Sequence, residues 1–217
     1  MMLVRGIESD AERSVRIATS PEGLVAIQNP SCAAAIWHRE PLASFQEWID
    51  HVPAHKLPMT RSILQPGAVR RALYELCQAS GLPECEHRNL LVDDVSALAA
   101  MFSELTHAEY LRLRLDLVTT NACRKFHVDA VTTRLVCTYR GTGTQHGVSD
   151  DGDDPERILT VGTGSPILLR GTLSPEVPRS GLLHRAPPIE GTGETRLVLV
   201  LDPVTALGAS AQPHTIH

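Results

Sequence analysis

Two imidazoles and one carboxylate, His127, Asp129 and His184, are the residues of this sequence best suited to chemistry. His127 and Asp129 stand in Cys123-Arg124-Lys125-Phe126-His127-Val128-Asp129. On an extended strand, residues i and i+2 project to the same side, so both can reach one ion. A third ligand must come from elsewhere. His184 is the best candidate, in Gly181-Leu182-Leu183-His184-Arg185-Ala186-Pro187-Pro188, just before the last strong strand. Such a set leaves about three coordination positions open, the facial arrangement that suits Fe(II) and oxygen chemistry. In the competing reading, His127 and Asp129 are a hydrogen-bonded pair on a partly exposed strand and His184 caps a turn.

The other polar clusters carry weaker signals. Cys123 is expected to be a small buried hydrophobe rather than a fourth ligand or a redox-sensitive thiol, and Cys137 likewise. Cys85-Glu86-His87 reads as loop rather than a zinc site. Asp150, Asp151, Asp153 and Asp154 around Gly152 lack the ligand spacing and closing Glu of a calcium loop, so they read as a solvated hairpin. His146 could line the mouth of a barrel, and His214 and His217 fall in a tail.

Elements able to position the three ligands follow from the hydrophobic period. The first thirty residues read as an irregular arm, and Ala34-Ala35-Ile36-Trp37 as a short buried strand. Helical spacing marks residues 42–49, with Phe45, Trp48 and Ile49 on one face. A second helix runs from Pro66 to Ser80, begun by Pro66 and stopped by Gly81 and Pro83. A third runs from Val92 to Thr106. Near residue 110 the period drops to two: Leu111, Leu113, Leu115 and Leu117 alternate with Arg112, Arg114 and Asp116. Short strands follow at 125–129, 132–139, 157–161, 166–170, 181–184 and 195–201, separated by Gly-Thr-Gly-type turns, the pattern of an antiparallel sandwich or barrel.

The reading is therefore α+β: a mainly helical region over 1–108, packed on a double-stranded β-helix (a jelly-roll, cupin-like barrel) over 109–203, with a loose tail over 204–217. The three parts form one compact unit. At 217 residues, with 42% hydrophobic and 21% charged residues, the chain can bury a substantial core. A net charge of −5 gives no general attraction to nucleic acid. No apolar run approaches the ~20 residues that span a bilayer, so no membrane partner is expected. The N-terminus shows no basic segment followed by an apolar stretch, and five scattered cysteines form no paired spacing. A cytoplasmic protein with reduced thiols is the expectation.

With His127, Asp129, the distal His184 and the trailing Arg196, the sequence resembles the Fe(II)/2-oxoglutarate dioxygenase superfamily. The resemblance implies that the three ligands hold Fe(II) and that Arg196, in Thr195-Arg196-Leu197-Val198-Leu199, pairs with the distal carboxylate of 2-oxoglutarate. A guanidinium suits that role because it can give two parallel hydrogen bonds. It also makes Tyr139 a second cosubstrate contact. The pattern departs at Val198, where the superfamily often has Ser or Thr. Arg185 is a rival carboxylate partner, although strand alternation turns it away from the metal. More of the chain resembles a bacterial family labelled only as domain of unknown function 1826, through Cys123–Asp129, Leu135-Val136-Cys137-Thr138-Tyr139-Arg140-Gly141 and Gly181–Glu190. That family looks like a neighbour of zinc-homeostasis genes and supplies no substrate.

The expectation is an Fe(II)/2-oxoglutarate-dependent oxygenase acting on a small-molecule or peptide substrate. The alternative is a non-catalytic accessory protein in which the same ligands hold Zn(II), since imidazole and carboxylate suit both metals. Arg196 discriminates, because only the oxygenase needs it.

Overall fold

The computed structural model describes residues 14–149, 151–175 and 180–204. The stretch expected to be an irregular arm is ordered from residue 14 onward. It holds β1 (Val15–Ala18) and a 3-10 helix, Pro21–Gln28, entered through Pro21. β2 (Ala34–Trp37), the expected buried strand, pairs in parallel with β1. α1 (Ala43–His51) and α2 (Pro66–Ala79) follow the apolar spacing closely, while β3 (Thr60–Leu64) between them carried no clear period.

α3 (Glu86–Thr106) starts six residues earlier than the spacing indicated. Its N-cap is Cys85, whose sulfur accepts the Arg88 N–H at 3.4 Å, so the Cys85-Glu86-His87 segment opens a helix instead of forming a loop. The side chain of His87 stacks on Trp48. The helix closes at His107, in the left-handed conformation with φ 53°.

The strands that follow are β4 (Tyr110–Val118), β5 (Thr133–Arg140), β6 (Gln145–Val148), β7 (Leu159–Thr160), β8 (Pro166–Arg170), β9 (Leu182–Arg185) and β10 (Arg196–Val204). They build two sheets, one seven-stranded in the order β1-β2-β8-β5-β10-β4-β3 and one three-stranded in the order β7-β6-β9. The large sheet draws strands from both sides of residue 108, so the sequence boundary drawn there is crossed by the β2–β8 and β3–β4 pairings. The result is a mixed α/β fold. Residues 205–217, including His214 and His217, and Asp150 of the acidic loop lie outside the described residues.

Strand alternation sorts the large sheet into two faces. Leu111, Leu113 and Leu115 of β4, Leu135, Cys137 and Tyr139 of β5, and Leu197, Leu199 and Leu201 of β10 pack with Val95, Leu98 and Phe102 of α3 in the main core. The opposite face presents Ile36, Val136, Ile167 and Val198, which share a second core with Leu182 of β9, Val148 of β6 and Val161 just after β7. The helices therefore cover one face of the large sheet and the small sheet covers the other. The residues facing that inter-sheet space decide what the molecule can bind.

Candidate metal centre

His127 and His184 are fixed by their own backbones. Each donates its N–H to the other's carbonyl at 3.0 Å, making an isolated antiparallel bridge on the free side of β9. This single bridge replaces the full strand expected at 125–129. Their ring centroids lie 4.6 Å apart. His127 Nδ1 donates to the Lys125 carbonyl at 2.8 Å, which turns its Nε2 toward Asp129. Asp129 follows the bridge, and its carbonyl accepts the Thr172 N–H at 2.9 Å. That approach requires glycine at 171. A Cβ there would lie 2.0 Å from the Val131 carbonyl oxygen and 2.7 Å from that of Asp129.

The donor atoms converge. Asp129 Oδ2 is 2.9 Å from His184 Nε2, and Asp129 Oδ1 is 3.5 Å from His127 Nε2. The three ligand atoms all lie within 4.8 Å of one another, and among the described residues no other His, Cys, Asp and Glu side chains form such a group. Two imidazole nitrogens and one carboxylate oxygen aimed at one point fit a divalent ion of the Fe(II) or Zn(II) type. Cys123 is not part of the group. Contrary to expectation it is exposed, with φ 47°, whereas Cys137 is fully buried and burial pushes its thiol up to about 12.

A chain of charges supports Asp129 from behind. Arg134 Nη1 is 2.5 Å from Asp129 Oδ1, and its Nε and Nη2 bond both oxygens of Asp202 at 2.6 and 2.9 Å. Arg114 stands 3.6 Å from Asp202. Burial pushes the Asp129 carboxyl up, but hydrogen bonds from His127 and His184 and the charge of Arg134 hold it well below the usual carboxylate range. The His127 imidazole is raised, mainly by its bond to Asp129. A metal must displace that proton, because a ligating imidazole is neutral. Divalent-metal affinity should therefore rise with pH through the range where His127 deprotonates, above the ordinary ~6.5, with proton release on binding. Metal titration by calorimetry in buffers of different ionisation enthalpy measures this, and a pH-independent affinity with no proton release would refute it.

The remaining expected site residues separate. Arg196, at the head of β10, is 2% exposed. Its Nε donates to the Thr142 carbonyl at 2.6 Å and its Nη2 to Thr138 Oγ1 at 3.4 Å. Among the described residues no carboxylate pairs with it: nearby Glu194 instead takes the Thr142 N–H and hydroxyl. Burial lowers the Arg196 guanidinium to about 10, against a smaller opposing effect of Glu194. Arg196 and His184 thus both belong to the inter-sheet side.

Tyr139 does not. It lies in the helix-side core, and its hydroxyl donates to Asp94 Oδ2 at 2.6 Å, beside the bidentate Arg39–Asp94 pair. The sheet face decides this: Leu135, Cys137 and Tyr139 project together, and a bulge between Leu197 and Val198 turns Arg140 to α1 as well, where it caps the Val52 carbonyl. The inter-sheet hydroxyl belongs to Thr138. It pairs in register with Val198, two residues after Arg196. Arg185 bonds Gln145 Oε1 and covers the Phe126 ring. His146 proves closer to the site than its sequence context indicated, because it pairs directly with His184 across β6–β9. Burial and the His184 charge lower its pKa. The alternation of a four-residue strand was too short a signal to reveal this.

A family model described as "Protein of unknown function (DUF1826)" matches residues 18–202. The chain belongs to that family. No curated protein sequence matches it. Among solved structures, this DUF1826 member is similar to the dioxygenase for auxin oxidation 1 from Arabidopsis thaliana in its 2-oxoglutarate binary complex. The TM-score is 0.54 at 9% identity, over 92% of this chain and 95% of that one. It is also similar to the dioxygenase for auxin oxidation in rice, with TM-score 0.50 at 10% identity over 88% and 83% of the two chains. At such identities the likeness is one of fold alone, shared with these two dioxygenases. No helix among the described residues is long and apolar enough to cross a membrane.

Proposed function

We propose that this protein is an Fe(II)/2-oxoglutarate-dependent oxygenase, built on a double-stranded β-helix. The observation that carries the reading is Arg196, a buried guanidinium without a carboxylate partner among the described residues, on the same inter-sheet side as the triad. An uncompensated buried charge is costly to hold unless an anion completes it. His127, Asp129 and His184 would hold the metal, and Arg196 with the Thr138 hydroxyl would receive the distal carboxylate of the cosubstrate. When bound, Fe(II) supplies the oxidation in which a C–H bond, O₂ and 2-oxoglutarate give a C–OH group, succinate and carbon dioxide. This chain's part is to orient the acids, to keep Nε2 of His127 available, and to line the inter-sheet space with Val136, Val198 and Leu182, which exclude water.

A zinc carrier needs the same three ligands but has no use for the Arg196 guanidinium, and no observation favours it. The test is metal content after anaerobic purification, followed by a 2-oxoglutarate titration of the Fe(II)-loaded protein by visible absorbance. The expected result is one metal per chain, a charge-transfer band that saturates with 2-oxoglutarate, and loss of both in His127→Ala. Tight stoichiometric zinc with no response to 2-oxoglutarate would instead establish the accessory role.

A further inference from the structure

A second space adjoins the triad. A cleft of about 1370 Å³ runs between the β1–β2 end of the large sheet and β6–β7 of the small one. Its walls include Ile17, Ile36, Val148 and Leu159. Ile17 is 70% exposed and Leu159 44% exposed, apolar surface that no described residue covers. His146 also lines it. That side chain is only 5% exposed, has no hydrogen-bond partner among the described residues, and stands directly opposite His184. Its ring nitrogens are not among the sealed, unpartnered polar atoms of the described residues, so they stay open to what enters the cleft. Directly opposed residues of an antiparallel pair have Cβ atoms about 5 Å apart, so a ligand reaching His146 lies beside the candidate metal ligands.

The rim sets the charge of that ligand. Asp151, Asp153, Asp154 and Glu156 line it, against Arg16 and Arg157. Asp151 is already engaged by the Ser149 hydroxyl and the Asp153 N–H, but the Asp154 and Glu156 carboxylates have no partner among the described residues. The shape sets its form. The volume exceeds the ~300–1,000 Å³ usual for small-molecule pockets. One wall is β1, the edge strand of the large sheet among the described residues, and an edge offers backbone groups to an added extended chain.

We infer that the cleft is the substrate site and that it takes an extended basic peptide. Apolar side chains of that peptide lie on Ile17 and Leu159, and its Lys or Arg side chains meet Asp154 and Glu156. The inference rests on the oxygenase reading of the triad.

Fluorescein-labelled acetyl-Leu-Lys-Val-Lys-Leu-amide, titrated by anisotropy into the full chain with Fe(II) and 2-oxoglutarate under anaerobic conditions, tests it. Saturable binding is expected, weaker by about tenfold or more for the counterpart with Glu in place of Lys. A similar loss is expected in the Asp154→Asn/Glu156→Gln variant, and in Ile17→Glu, whose exposed position leaves folding intact. Equal binding of the two peptides, no saturation, or unchanged affinity in these variants overturns the inference. Displacement by 1,6-diaminohexane at concentrations matching the peptide overturns the peptide assignment in favour of a small amine. Metal content and the 2-oxoglutarate band are read on the same samples. If both are present and the peptide does not bind, only the substrate assignment fails. If the peptide binds a chain that takes neither metal nor 2-oxoglutarate, the oxygenase reading fails with it.

Discussion

Arg196→Met is expected to weaken 2-oxoglutarate binding by roughly two to three orders of magnitude while Fe(II) affinity stays within about threefold. Losing one partner of a buried, hydrogen-bonded charge pair costs ~2–5 kcal/mol, and in the proposed complex Thr138 is the donor that would remain for the far carboxylate. The metal ligands lie elsewhere, on the His127–His184 bridge and Asp129, and do not touch Arg196. The same substitution should raise the melting temperature of the cosubstrate-free protein. Methionine fills most of the volume of the arginine stem without a desolvated charge, and it forfeits only the bonds to the Thr142 carbonyl and the Thr138 hydroxyl. Thermal denaturation with and without 2-oxoglutarate measures both effects. A variant that melts lower and binds 2-oxoglutarate as the parent does would make Arg196 a structural tie between β10 and the turn after β5.

The second large effect is expected at Arg134. Arg134→Met removes the cation between two mostly buried carboxylates and leaves Asp202 with Arg114, and Asp129 with the imidazoles of His127 and His184. Breaking a buried ion pair on one side costs ~3–5 kcal/mol, enough to threaten the fold of a marginally stable domain. Urea denaturation measures it. Because the Asp129 carboxyl is held below its unfolded value, it contributes stability above the unfolded pKa, and that contribution is lost as pH falls through the folded one. Without Arg134 that window narrows, so acid unfolding should begin at higher pH. A divalent metal should restore part of the loss, since it places positive charge on the same carboxylate. Arg134→Met/Asp202→Leu should recover more than half of the single-variant loss, which a double-mutant cycle resolves. A single variant within about 1 kcal/mol of the parent would reduce the pair to the standing of a surface salt bridge.

The triad was legible because its signal is local: two ligands two residues apart, and a third before a strong apolar strand. The helices at 43–51 and 66–79 were legible because a long 3.6-residue period and Pro or Gly punctuation repeat the message. Short strands carried too few residues for a period, so β1, β3 and β6 went unread, and with β6 the place of His146 opposite His184. Tyr139 and Thr138 mark a different limit. In the run Leu135 to Tyr139 both sheet faces are buried, so hydrophobicity cannot tell which parity meets the helices. Only the pairing of Thr138 with Val198 decides it, and that pairing joins strands some sixty residues apart. The Arg134–Asp202 tie likewise depends on sheet order.

That order has a consequence for biogenesis. β4 and β5 follow one another in the chain, yet they are not neighbours: β10 lies between them and bonds both along its length. Until residues 196–204 are synthesised, each flanking strand presents an unpaired, largely apolar border to the cell, the kind of surface that recruits other chains. The late strand also brings Arg196, the residue proposed to receive the cosubstrate, and Asp202, which holds Arg134 against Asp129. A nascent chain is therefore at its most vulnerable to aggregation just before β10 completes the sheet, and a premature stop ahead of residue 196 should yield insoluble protein in place of a folded, weakened one.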